Sequence, residues 1–204
     1  MQTFDCVLFD TEFTAWEGSN QRKWSLDWEH RELIQLAAVR VHVGAQGVEI
    51  ISTFNELIKP QLNPTLSDYI CQLTGIQQPV IDDMGIDFES ALKQFYDFCQ
   101  RGELSAYSWG NDFRVLAENC NLYNTPKPPF EGGFSNLQQL ASKLELPGSH
   151  VASGELAQAN GVSLEGHKHN ALYDVRSLAV ALNLWIQTGK LNLSELLLSE
   201  RLYI

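Results

Sequence analysis

The chain has 204 residues, of which 44% are hydrophobic and 19% charged, and a formal net charge of −11. Its length suits one well-buried domain spanning residues 1–204, and its composition is that of an ordinary folded protein. The acidity excludes a broad electrostatic footprint on long duplex nucleic acid, which depends on clustered Lys and Arg, but not a pocket that grips the last nucleotides of a strand.

Phe4 to Phe9 reads as a buried strand, followed by a polar, Trp-rich stretch from Trp16 to Arg31. Apolar runs at Leu33–Val43 and Val48–Ile58 flank the turn Gly44-Ala45-Gln46-Gly47 and predict a hairpin, which Pro60 stops. Three adjacent antiparallel strands are therefore expected. The pattern then turns helical at Ser67–Leu73 and at Phe88–Cys99, where Asp87 is a good N-cap. A short strand at Leu104–Trp109 leads into a helix at Asn111–Asn119, and a Pro/Gly-rich loop occupies Thr125–Gly133. Further helices are predicted at Asn136–Leu144, Ser153–Asn160, Asn170–Thr188 and Leu193–Leu202. Three strands followed by alternating helix and strand imply an α/β fold, a mixed sheet flanked by helices on both faces, with ligands at strand ends.

No apolar run approaches the roughly 18 residues of a membrane span, and the first residues lack the pattern of a leader peptide. Cys6, Cys71, Cys99 and Cys120 are scattered with no Cys-x-x-Cys pair, as expected of reduced thiols in a cytoplasmic protein without membrane contact.

Three segments carry chemistry. Asp10-Thr11-Glu12 follows the apolar run Cys6–Phe9, and side chains at i and i+2 of a strand point the same way. Two carboxylates on one face repel unless a cation holds them, and their oxygens suit Mg²⁺ or Mn²⁺. Read alone, the pair is first a solvated strand end. Asp112 follows the short strand and opens a helix, where an acid also complements the helix dipole. His169 stands five residues before Asp174 at the start of the long helix, about 1.4 turns away, near it without forming an i, i+4 pair. His167 is a nearby competitor.

Asp10-x-Glu12, Asp112 and His169-x4-Asp174, in that order and on those elements, resemble the DEDDh family of 3′→5′ exonucleases. The resemblance runs from Phe4 to about Thr188 and implies a ribonuclease-H-like, five-stranded mixed sheet. Glu32-Leu-Ile-Gln-Leu, Phe54-Asn-Glu-Leu-Ile-Lys-Pro60, Leu66-Ser-Asp-Tyr and Leu73-Thr-Gly-Ile76 are similar to the branch that degrades histone mRNA and small interfering RNA. By this resemblance Asp10, Glu12 and Asp174 hold one divalent metal ion, Asp10 and Asp112 place a second, and His169 is the general base. Two cations suit phosphodiester hydrolysis because it needs both an activated water and a stabilised leaving oxygen. The resemblance also implies that Phe13, Leu73 and Thr74 line the pocket for the terminal base and sugar, to which Trp109 and Phe113 are added as aromatic candidates. Expected partners are single-stranded 3′ ends of RNA or DNA.

Two other readings remain beside this one. The chain could be a non-catalytic interaction protein that keeps the fold, although a decayed enzyme tends to lose its site residues and all five are here. It could instead hydrolyse very short oligonucleotides, which the low positive charge would suit.

Overall fold

The computed structural model describes residues 3–204, organised on a five-stranded sheet in the order β3-β2-β1-β4-β5. Strands β1 (Phe4–Phe13), β2 (Leu33–Gly44) and β3 (Gly47–Leu57) are antiparallel, while β4 (Ala106–Ser108) and β5 (Phe134–Asn136) extend the sheet in parallel. The helices are α1 (Ser19–Arg22), α2 (Asp68–Thr74), α3 (Gln78–Met84), α4 (Phe88–Phe98), α5 (Asp112–Leu122), α6 (Leu137–Lys143), α7 (Leu156–Ala159), α8 (Ala171–Gln187) and α9 (Leu193–Leu197).

Both faces of the sheet are covered, so β1 is apolar without alternation. Cys6 and Leu8 enter a core with Leu178, Leu182 and Trp185 of α8. Val7 and Phe9 point the other way, into a core with Leu92 and Phe95 of α4 and Leu116 of α5. Continuing this alternation aims Asp10 and Glu12 at α8 and Thr11 at α5. The four cysteines are free, three of them buried and Cys71 half-buried, and burial pushes the Cys6 thiol up to about 12.

Several expected boundaries shift for identifiable reasons. β1 runs on to Phe13, because β2 pairs along it with Asp10 opposite Ala37 and Glu12 opposite Gln35. The two acids therefore lie inside a strand rather than beyond its end. β5 falls between the expected loop and the expected helix at Asn136, and three residues are too few to show a period. Phe134 exchanges backbone hydrogen bonds with Leu202 at 2.8 and 2.7 Å, and this return of the chain ends α9 at Leu197. The segment expected as one helix at 153–160 is a 3-10 turn, Ser153–Glu155, followed by α7. Neither α1 nor α3 was legible from the periodicity.

The carboxylate of Glu32 is fully buried and anchors the loop after β3. It accepts the backbone N–H groups of Gln61, Leu62 and Asn63 at 2.6, 2.7 and 2.6 Å, and the Tyr123 hydroxyl at 2.6 Å. Glu32→Ala removes four part-buried hydrogen bonds, each worth about 1 kcal/mol. The expected loss is at least about 3 kcal/mol of unfolding free energy, measured by urea titration; an unchanged midpoint would show that this loop does not need the carboxylate.

Candidate active site

Asp10 and Glu12 project from β1 onto the face covered by α8, and the first turn of α8 delivers Asp174 to them. Asn170 caps that helix by accepting the Tyr173 N–H at 3.4 Å. His169, immediately before the cap, adopts a left-handed φ of 63°, a conformation open to His more than to most residues. Its own N–H donates to Asp174 Oδ1 at 3.3 Å. Donor atoms of Glu12, His169 and Asp174 all lie within 4.8 Å of one another.

Asp112 arrives from the opposite side of the sheet, at the start of α5. Thr11, the residue whose side chain faces that way, donates its hydroxyl to Asp112 Oδ1 at 2.7 Å. The five polar residues expected from the sequence therefore converge on one end of β1, although they approach from both faces.

The electrostatics follow from this crowding. Burial, and then the charges of Asp112, Glu12 and Asp174, hold Asp10 well above the ordinary carboxylate range. Glu12 is raised by burial and by Asp174 and Asp112. Burial raises Asp112 while the Thr11 hydroxyl opposes it, and Asp174 is pushed up to about 6, chiefly by burial. Burial also lowers His169, helped by Lys168 and His167, so the imidazole is neutral at neutral pH. Hard oxygen donors that resist ionising together have the chemistry of a divalent-cation site, and this donor set fits Mg²⁺ or Mn²⁺.

Three supports escaped the sequence reading. Ser153 donates to Asp174 Oδ2 at 3.0 Å, from a turn distant in sequence. At Gly154, a Cβ atom would stand 2.4 Å from Asp174 Oδ1, so only glycine lets this turn approach. Gln35, opposite Glu12 on β2, accepts the Ala171 N–H at 2.9 Å and so fixes the start of α8 against the sheet. Only the pairing of β1 with β2 gives Gln35 this position.

Asp10, Glu12, Asp174 and His169 line a cleft of about 510 Å³ together with Phe13, Tyr69, Ile70 and Leu73. A register shift between Glu12 and Phe13 breaks the strand alternation there, and Phe13 lines the cleft beside Glu12. Trp24 and Asn20 of the Trp-rich segment also reach the cleft. Trp16 and Trp28 instead pack edge to face with ring centres 4.8 Å apart.

Three expected pocket residues lie elsewhere. Trp109 is 7% exposed, packs near Trp185 and donates its indole N–H to the Val151 carbonyl at 2.9 Å. Phe113 is buried and stacks on Phe134 in the other core. Thr74 is buried too, and its hydroxyl is used within its own turn, donating to the Ile70 carbonyl at 2.8 Å and accepting the Ile76 N–H at 3.1 Å. A groove of about 480 Å³ between α6 and α9 holds none of the five polar residues.

The sequence profile of the exonuclease family (RNase_T) matches residues 7–182. The chain belongs to the exonuclease family. Among similar proteins, "3'-5' exoribonuclease 1" of Homo sapiens is 26% identical over 207 residues, which cover 97% of this chain and 55% of that protein. "ERI1 exoribonuclease 2" of Xenopus laevis is 34% identical over 198 residues, 85% of this chain and 27% of that protein. The chain thus spans about half the length of the human relative and about a quarter of the frog one. Its fold is that of the crystallographic nuclease domain of 3'hExo, "a DEDDh family member, bound to rAMP", with a TM-score of 0.76 at 23% identity and 97% of each chain covered. The mixed five-stranded sheet of this exonuclease-family chain is accordingly the ribonuclease-H-like arrangement. No helix among the described residues is long and apolar enough to cross a membrane.

The raised acids make the stability of the metal-free protein depend on pH with a definite sign. Asp174 titrates near 6 when folded and near 3.8 when unfolded, so between these values the folded state binds the extra proton. Stability therefore falls as pH rises through about 4 to 6. Thermal unfolding in EDTA should show a falling midpoint across that window, a shallower fall for Asp174→Asn, and recovery with Mn²⁺ above it. An equally steep fall in Asp174→Asn would remove Asp174 as the source.

Proposed function

We propose that this chain is a metal-dependent 3′→5′ exonuclease that removes 5′-mononucleotides from single-stranded or frayed 3′ ends, RNA ahead of DNA. The observation that carries the reading is the convergence of Asp10, Glu12, Asp112, Asp174 and His169 beside a cleft with an apolar wall. Membership of the exonuclease family supports it, as does similarity over nearly the whole chain to relatives named as exoribonucleases.

In this reading Asp10, Glu12, Asp112 and Asp174 hold two divalent ions, Mg²⁺ or Mn²⁺. When bound, such ions neutralise the clustered carboxylates and stabilise charge on the reacting phosphate. His169, neutral because burial lowers its basicity, takes a proton at an imidazole nitrogen from the attacking water. The water oxygen bonds to phosphorus as the bond to the preceding 3′ oxygen breaks, so the released nucleotide keeps its 5′ phosphate. Phe13 and Leu73 offer the apolar faces on which the terminal nucleoside rests. Gln35, Ser153 and Gly154 act as positioning residues for His169 and Asp174.

A second reading, hydrolysis of very short oligonucleotides, is favoured by the net charge of −11, which gives little attraction for a long phosphate chain. Purified protein with Mn²⁺ and oligonucleotides labelled at either end distinguishes the possibilities. Stepwise shortening from the 3′ end supports the proposal, turnover that vanishes beyond a few nucleotides supports the second reading, and shortening from the 5′ end overturns both. Asp10→Ala should abolish activity, and His169→Ala should lower kcat by about 10²–10⁴. Isothermal titration should show Mn²⁺ binding retained in His169→Ala and weakened in Asp10→Ala.

A further inference from the structure

Among the described residues, Trp24 alone lines both the cleft and a second groove of about 450 Å³, whose other walls include Lys23, His30, Arg31 and Glu118. Trp24 therefore borders both spaces. It is held there from several sides. Its N–H donates to the Thr14 carbonyl at 3.0 Å, and its ring meets Phe13 edge to face at 5.5 Å. The Arg31 guanidinium lies 5.5 Å from the Trp24 ring centre and 5.7 Å from that of Phe13, and is itself paired with Glu118. Lys23 and Trp24 have consecutive left-handed φ values of 56° and 51°, a sharp turn that residues of this size adopt only when their surroundings hold them in it.

An enzyme that releases nucleotides from an end must forbid the chain from continuing beyond the terminal residue. Phe13 joins the acids to the apolar wall, and Trp24 rests on Phe13, so a nucleoside seated on Phe13 has the indole as a neighbour. We propose that Trp24 is the specificity-determining residue that closes this cleft to anything attached at the 3′ oxygen, so that only a free 3′-hydroxyl terminus is accepted. The proposal rests on the exonuclease reading. Without the indole, the cleft would open into the neighbouring groove, where Lys23, His30 and Arg31 could receive a phosphate. Rejection by an obstruction rather than by a lost attraction is a recognised route to specificity.

The test compares two oligoribonucleotides of one sequence, ending in a 3′-hydroxyl or a 3′-phosphate, on the full chain with Mn²⁺. The native protein should shorten the hydroxyl-ended strand at least about tenfold faster, and Trp24→Ala should narrow that preference to about twofold or less. Arg31→Met, which leaves the indole in place but unclamped, should give an intermediate preference. If Trp24→Ala lacks a cooperative thermal transition, Arg31→Met decides: a narrowed preference supports the proposal and an unchanged one overturns it. A folded Trp24→Ala that digests the hydroxyl-ended strand with its full preference intact also overturns it, as does a native protein with no preference. If the native protein shortens neither strand, the exonuclease reading falls first and this proposal with it.

Discussion

Four carboxylates brought together at one end of β1 repel one another, and the surrounding structure must hold them against that repulsion. Desolvation makes matters worse, since each buried acid loses the water that would screen it. Asp10, Glu12, Asp112 and Asp174 all respond by favouring their protonated forms. Such a cluster persists only on a scaffold whose own stability lies elsewhere. Here that scaffold is a sheet covered on both faces, with an apolar core on each.

Two of the acids, and the helix that carries one of them, are held by bonds that the cores alone could not make. Thr11 secures Asp112, Ser153 secures Asp174, and Gln35 ties the first turn of α8 to the strand beside Glu12. The Lys168–Glu155 ion pair, at 2.8 Å, joins the segment before His169 to the turn that carries Ser153. Both partners are exposed, so its worth lies in registering two loops rather than in stability. The same end of the sheet thus gathers strain, in the repelling acids and the left-handed His169, together with the contacts that hold it in place.

The cleft divides its tasks between chemically opposite walls. The acidic wall is suited to cations and to a phosphate that they neutralise, while Phe13, Ile70 and Leu73 are suited to a base or sugar. A chain of net charge −11 gains little from long-range attraction to phosphate. In the proposed function, affinity for a strand would come from local stacking and from divalent ions held by the acids, which favours short contact at an end over wrapping of a duplex. The aromatic lining and the overall acidity are consistent parts of one design.

Much of this was readable in one dimension. The first three strands and the long α8 follow from hydrophobic period, a local property, and Asp10, Glu12, Asp112, His169 and Asp174 were legible as a set through their resemblance, in order and on those elements, to the DEDDh family. What the sequence could not show is which faces meet. Trp109 and Phe113 carry the same rings as Phe13, yet close packing sends them into the cores while a register shift leaves Phe13 at the cleft. Gln35, Ser153, Gly154 and Trp24 acquire their places only when β2 pairs with β1 and distant turns pack onto α8 and Phe13. Local pattern determines whether a residue is helical, extended or buried, whereas its neighbours across the chain depend on contacts between segments that no single stretch contains.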